Sequence, residues 1–345
     1  MERRSIMTKA SAGRILLGHG GGGRMTGRLV RDMILPALDR GKLGPLPDSV
    51  VLSGLGDHIA YTTDSFTVSP IFFPGGDIGS LAVHGTCNDL ACSAARPLFL
   101  SVGLILEEGL PLEDLGAIIR SMAAAADCAG VEIVTGDTKV VPKGSADKIF
   151  INTSGIGKVE SAGLALSRPV SPGDEILVSG PVGNHGMAVM LSRAEFSFDF
   201  ELRSDSASVW PVVERLIELG PDLKFLRDPT RGGLAATLNE IASLNGLGVR
   251  VEETAIPLDE SVVAASEILG IDPLQAANEG KIVAVVSKGS ANKALNLVSG
   301  CELARGAATI GLLTEENRGR VVMTTRIGGA RVVAEPTGEL LPRIC

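Results

Sequence analysis

A chain of 345 residues, 45% hydrophobic and 21% charged, is long enough for two packed domains and too apolar for disorder. A net charge of −8, no long basic run and only 3% aromatic residues exclude the footprint of a nucleic-acid-binding protein. No stretch approaches the 18 apolar residues of a membrane span, and Met1-Glu2-Arg3-Arg4-Ser5 does not open a signal peptide, so a cytoplasmic protein is expected.

In chain order, a short apolar entry, Arg14 to Leu17, runs into Gly18-His19-Gly20-Gly21-Gly22-Gly23, which suits neither a helix nor a strand interior. Leu29, Val30, Met33, Ile34 and Leu38 then share a helical face, and Gly41 to Asp48 reads as a linker. From Val50 strands and helices alternate. His58 to Thr63 is a predicted strand, Asp77 to Ala94 a helix and Pro97 to Leu106 a long apolar strand. Pro111 opens a helix with Leu112, Leu115, Ile118, Ile119, Met122 and Ala126 on one face and Gly130 as its stop. Val131 to Val134 is a strand running into Gly136-Asp137-Thr138-Lys139, and Lys148 to Gly155 is the next.

The turn Ser171-Pro172-Gly173-Asp174 marks a boundary. Beyond it the pattern predicts a strand at Glu175 to Val178, the loop 180–186 and a helix. After Arg231-Gly232-Gly233 come a helix, a strand at Gly248 to Glu252, a helix at Glu260 to Leu269 and a strand at Lys281 to Val286. A hairpin pairs Arg320 to Thr325 with Arg331 to Ala334, and Pro336, Gly338 and Pro342 keep the last ten residues irregular. The fold class is α+β (mixed α/β). The expected units are a Gly-rich segment and helix (1–48), a first domain (49–160), a second domain (170–335) and a mobile tail (336–345).

Three features carry chemistry. Asp57, Asp64, Asp89, Asp137 and Asp228 lie beside glycines or at strand ends, and folding them together would hold Mg²⁺ against a triphosphate. Gly20, Gly21, Gly22 and Gly23 free backbone N–H groups that can cradle phosphate, although no Walker sequence follows. Cys345 ends a Pro-broken tail whose ten residues reach roughly 30 Å when extended, enough to swing between a neighbouring protein and an internal site. The five cysteines are odd in number and, like the four histidines, lack metal-site spacing, which fits free thiols in a reducing compartment.

Together these segments resemble the family that includes aminoimidazole ribonucleotide synthetase, selenophosphate synthetase, thiamine monophosphate kinase and the hydrogenase-maturation proteins. The resemblance covers roughly residues 14–345. It rests on the Gly-rich segment, the Gly-Asp near Thr62-Thr63-Asp64, Asn88-Asp89-Leu90-Ala91, Gly136-Asp137-Thr138 and the Asp228 to Gly233 segment. The terminal Pro342-Arg343-Ile344-Cys345, with His19 to Gly23, Asp137 to Val140 and Asn278-Glu279-Gly280-Lys281, is similar to the hydrogenase-maturation branch.

The resemblance implies a two-domain, aminoimidazole ribonucleotide synthetase-like fold, a homodimer formed through the first-domain sheets, and ATP in a cleft. It implies that a carbamoyltransferase, HypF, places a carbamoyl group on Cys345. An ATP-dependent dehydration then makes it a thiocyanate, and the cyanide passes to iron on HypC–HypD for a nickel–iron hydrogenase. Lys139 is then expected to neutralise phosphate charge or assist proton transfer, and Glu279 to be the base that strips the amide protons. Two rivals remain: a small-molecule ATP-dependent synthetase or kinase of the same fold, which would work without Cys345, and a non-catalytic scaffold, which would not hydrolyse ATP.

Overall fold

The computed structural model of the chain describes residues 50–55, 57–160, 168–193 and 200–336, together with 24, 27, 28, 338, 341 and 343–345. The expected Gly-rich loop at Gly20 to Gly23, the helical face from Leu29 to Leu38 and the linker at 41–48 lie outside the described residues.

From residue 50 to 160, the described residues of the N-terminal half build a five-stranded sheet covered by two helices. Its elements are β1 (Val50–Leu55), β2 (Asp57–Phe66), the short pair β3 (Phe72–Phe73) and β4 (Gly76–Asp77), α1 (Ile78–Cys92), β5 (Ala95–Glu107), α2 (Leu112–Ala129), β6 (Glu132–Val141) and β7 (Ile149–Val159). The strand order is β1-β2-β7-β5-β6. All neighbours are antiparallel except β5 and β6, which are parallel and joined through α2.

Strict alternation explains β2: Ala60, Thr62 and Phe66 are buried, while Tyr61, Thr63 and Ser65 face outward. Asp77 caps α1, its Oδ1 accepting from the Gly79 N–H at 2.7 Å and the Ser80 N–H at 3.1 Å, while Ser80 Oγ accepts from the Asp77 N–H. Gly130, left-handed at φ 67°, ends α2 as expected. Ile119 departs from the predicted inward face and is 41% exposed. The 3.6-residue period rotates it past the sheet while Ile118 and Met122 stay inside. Phe66, Ile78, Leu81, Leu100, Ile118 and Ile151 form the core between sheet and helices. The opposite sheet face is bare and carries the cross-strand row Tyr61, Ile156 and Phe99.

The C-terminal half carries a seven-stranded sheet with helices on both faces. Its elements are β8 (Glu175–Val178), α3 (Asn184–Leu191), α4 (Trp210–Leu216), β9 (Leu223–Arg227), α5 (Gly233–Asn245), β10 (Gly248–Glu252), α6 (Glu260–Leu269), β11 (Val283–Val286), α7 (Ala291–Val298), β12 (Ala308–Thr314), β13 (Val321–Thr324) and β14 (Ala330–Val333). The order is β14-β13-β10-β12-β8-β11-β9. All four residues of β11 are buried, as in a strand covered on both sides. Val283 and Val285 pack with α5, and Ala284 and Val286 pack with α4 and α7. The predicted loop 180–186 is shorter than expected, because α3 begins at Asn184 and takes in His185 and Gly186. The strand predicted from Lys281 pairs only from Val283. The predicted terminal hairpin is present, Val321 pairing with Val333 and Thr324 with Ala330.

Ala91 and Cys92, at the end of α1, enter the same apolar cluster as Val209, Trp210 and Leu216, and so join the two halves. Ile344, near the chain end, is 4% exposed inside the N-terminal core. The last residues of the tail, expected to move between a neighbouring protein and an internal site, lie docked in their own chain in this structure, held by an apolar side chain that water disfavours.

Candidate active site

A cleft of about 380 Å³ opens where the two halves meet. Asp64 reaches it from β2, Asp89 from α1, Asp228 and Arg231 from the turn after β9, and Glu240 from α5. Glu279 and Cys345 also line it. Three of the five predicted aspartates thus converge with the predicted base and the predicted thiol.

Each acidic group is placed by a nearby bond. The Thr62 hydroxyl donates to Asp89 Oδ2 at 2.9 Å. The Ser65 N–H donates to Asp64 Oδ1 at 2.7 Å, and Arg231 Nη2 lies 3.9 Å from the same atom. Cys92 Sγ donates to Asp228 Oδ1 at 3.5 Å. Arg227 pairs with Glu240 at 3.1 Å on the outer wall.

Glu279 is the most constrained. Asn88 Nδ2, on α1, donates to its backbone carbonyl at 2.9 Å, and its own N–H donates to Asp205 Oδ1 at 3.2 Å. On one side Asn278 Oδ1 accepts from the Gly183 N–H at 2.7 Å, and on the other Lys281 Nζ meets Asp205 Oδ2 at 3.5 Å. The side chain of Glu279 is 2% exposed, and its Oε1 has no hydrogen-bond partner. The glycine at 85, on α1, leaves room for the ring of Phe66: a Cβ there would sit 2.9 Å from two of its atoms, and 3.7 Å from Glu279 Oε2, an ordinary contact.

Electrostatics follow from this crowding. Burial, then the charges of Asp228, Asp64 and Asp205, hold the Glu279 carboxyl well above the usual carboxylate range. Burial also raises Asp64, against the pull of Arg231, and raises Asp228, against Arg227. Arg231 is held more firmly protonated, chiefly by the charge of Cys345 and then by Asp64 and Glu279. A carboxyl of raised proton affinity, an arginine and Cys345 therefore line one cleft.

Asp137 and Lys139 are not brought here. Their segment lies within the edge strand β6, three strand spacings from β2, or roughly 14 Å. The pleat groups them with Gly103 and Ile105 on the bare face, and they pair with each other at 3.2 Å. Asp57 starts β2, but its side chain lies outside the described residues, as do the four glycines at 20–23. The sequence reading missed Arg231, Asn88, Asn278 and Asp205. The Gly-Gly after Arg231 was a usable signal, because both glycines take positive φ at the mouth of α5. Among the described residues no three His, Cys, Asp or Glu side chains converge tightly enough to hold a metal by themselves.

A chain split into two halves of mixed helix and sheet is what the two domain models of the AIR synthase related proteins match here. The N-terminal domain model of that family matches residues 47–159 and the C-terminal one residues 171–324. The carbamoyl dehydratase HypE of Cupriavidus necator is 48% identical over 97% of this chain and 95% of its own. The HypE chain of a HypE–HypF complex superposes with a TM-score of 0.83 at 47% identity, over 89% of this chain and 99% of that one. A HypE in complex with ATP gives 0.79 at 47% identity, over 96% and 100%. The chain belongs to the carbamoyl dehydratase HypE family.

Proposed function

We propose that the chain uses ATP to remove water from an S-carbamoyl group on Cys345, leaving a thiocyanate whose cyanide serves nickel–iron hydrogenase maturation. The observation that carries this reading is the docking of Cys345 into the cleft of Glu279, Asp64, Asp89 and Asp228, in a member of the carbamoyl dehydratase family.

The reaction breaks one C–O bond and two N–H bonds. ATP supplies a phosphoryl group that lets the amide oxygen leave as phosphate, and Mg²⁺ would neutralise the triphosphate. The donor set suits that ion: Asp64 and Asp228 repel one another, and Mg²⁺ takes one or two carboxylates with the rest from phosphate and water. Asp64, Asp89 and Asp228 are the carboxylates from which it would draw those one or two ligands. Arg231 meets anionic oxygens at the same end. Glu279, of raised proton affinity and with one oxygen unpartnered, takes the amide protons. The sulfur carries the group and later releases cyanide. Lys139 and Asp137 do not line this cleft of the single chain.

A homodimer through the bare face of the first sheet, delivery to HypC–HypD and a cytoplasmic location complete the proposal. HypF as the carbamoyl donor is supported by the complex its relative forms. No helix among the described residues is long and apolar enough to cross a membrane. Incubation with the carbamoyltransferase, carbamoyl phosphate and ATP·Mg²⁺, followed by mass analysis of the C-terminal peptide, tests the reaction. A carbamoyl adduct on Cys345 that loses one water only with ATP is expected. An adduct that never loses water overturns the reading.

A further inference from the structure

The end of the chain is held by far more than its buried isoleucine. Residues Arg343, Ile344 and Cys345 each have their backbone carbonyl bonded. The Arg343 carbonyl accepts from the Ser69 N–H at 3.1 Å and from Arg193 Nη2 at 2.8 Å. Ile344 uses its carbonyl toward His185 Nε2 at 2.9 Å. The Cys345 oxygen accepts from the Thr67 N–H at 3.1 Å and from Thr67 Oγ1 at 3.2 Å. Three consecutive residues are thus read along their backbone by one surface.

That surface is built rather than incidental. His185 is fully buried, its ring edge against Phe73 at 5.3 Å, and its Nδ1 lies 2.8 Å from Ser204 Oγ. Since a carbonyl can only accept, Nε2 carries the proton and Nδ1 accepts from the serine. Arg193 is anchored by a second bond, Nε to the Ser69 carbonyl at 2.7 Å.

Arg343 has a receptor of its own. Its Nε donates to the Thr67 carbonyl at 2.8 Å, its Nη1 pairs with Asp147, and its guanidinium lies 5.9 Å from the Phe150 ring centre. Its backbone sits at φ 52°, a left-handed conformation that side chains avoid, so the turn sending guanidinium and carbonyl to separate partners is imposed by those partners. The loop presenting Asp147 is braced: Glu107 accepts from the Gly144 and Lys148 N–H groups, the latter at 2.9 Å. Yet the side chains of Arg343 and Asp147 are 31% and 47% exposed, so water competes for this pair as it does not for the His185 bond.

We infer that Thr67, Ser69, Asp147, Phe150, His185 and Arg193 form a peptide-binding site for the chain's own Arg343-Ile344-Cys345, with Arg343 as its specificity handle and Asp147 as the releasable latch. His185 and the Ile344 pocket set where the thiol sits. The half-exposed Asp147 pair sets how often it sits there. Arg343 is a positioning residue: it acts on the reaction through the location of Cys345. The inference rests on the proposed reaction only for its catalytic readout.

The test compares the full-length protein with Arg343→Ala, Asp147→Ala and the conservative Asp147→Glu. The first readout needs no activity: the rate at which iodoacetamide alkylates Cys345, followed by mass analysis of the C-terminal peptide. Asp147→Ala and Arg343→Ala are expected to raise that rate at least fivefold, and Asp147→Glu to restore most of the protection. The second readout is the split between two steps. Carbamoylation of Cys345 by the carbamoyltransferase is expected to be undiminished or faster in the alanine variants, while ATP-dependent loss of water slows several-fold. A merely destabilised protein would lose both steps together. Arg343 lies in the terminal segment, outside both sheets, so its replacement guards against a folding artefact at Asp147. Alkylation unchanged in both alanine variants overturns the inference. If the parent protein is carbamoylated but never loses water, the proposed reaction fails while the alkylation result still decides the latch.

Discussion

Glu279 and Cys345 border one cleft but reach it on very different supports. Glu279 sits in a segment locked by Asn88, Asp205, Gly183 and Lys281, whereas Cys345 arrives on a chain end held by Thr67 beside a latch that water can open. The proposed base is thus rigid and the proposed carrier removable, as a shuttle requires.

This arrangement strains the base. Its carboxyl is held above the ordinary range, so ionising it at neutral pH costs stability that a neutral isostere does not. Glu279→Gln is expected to unfold a few degrees higher than the parent by calorimetry, and to lose water formation at Cys345 by about 10²-fold or more, the usual contribution of a general base. A variant less stable than the parent, or one of full activity, would contradict this assignment.

Histidine 84 makes stability depend on acid. Burial pushes its pKa down to about 4, with Nδ1 placed 3.0 Å from Ser206 Oγ. The unfolded chain takes up a proton near pH 6.5, while the folded form resists until about pH 4. This group's contribution is therefore complete above pH 6.5 and is lost as pH falls toward 4, by roughly 2–3 kcal/mol. Urea unfolding of the parent and of His84→Gln at pH 7 and 4.5 measures it. The difference between the two proteins should shrink at the lower pH.

Gly280 leaves no space for a side chain. A Cβ there would fall inside the carbonyl oxygen of Asp205, the residue that also accepts from the Glu279 N–H. Gly280→Ala is expected to cost about 2–4 kcal/mol in denaturant unfolding, since backbone must move. It should also lower dehydration more than carbamoylation, because the displaced segment carries Glu279 and not Cys345.

The bare sheet face predicts self-association. Tyr61, Phe99 and Ile156 form one exposed cross-strand row, at 42%, 40% and 37%. Phe99→Asp is expected to shift the protein from dimer to monomer in light scattering, with little loss of thermal stability for the single chain. A parent protein that is already monomeric at micromolar concentration would sink the proposed dimer.

Much of this molecule is legible in one dimension. The alternation of β2, the acidic start and glycine stop of α2, the turn at Ser171 and the terminal hairpin all follow from local periodicity and backbone preference. Asp64, Asp89, Asp228, Glu279 and Cys345 could be named from the residues beside them and from resemblance. Their meeting could not, because it depends on the packing of α1 between the two sheets, where Asn88 bonds the Glu279 segment and Cys92 bonds Asp228. Strand order also decides where Asp137 and Lys139 lie in one chain, since the edge strand β6 is three spacings from β2 whatever its sequence says. The tail is the sharpest case. Its prolines and glycine showed only that it forms no helix or strand. Its docked place was decided by partners far away in the chain: a pocket for Ile344, a buried histidine and a braced aspartate. Local sequence determines what a segment can be, and long-range burial and hydrogen bonding decide where it rests.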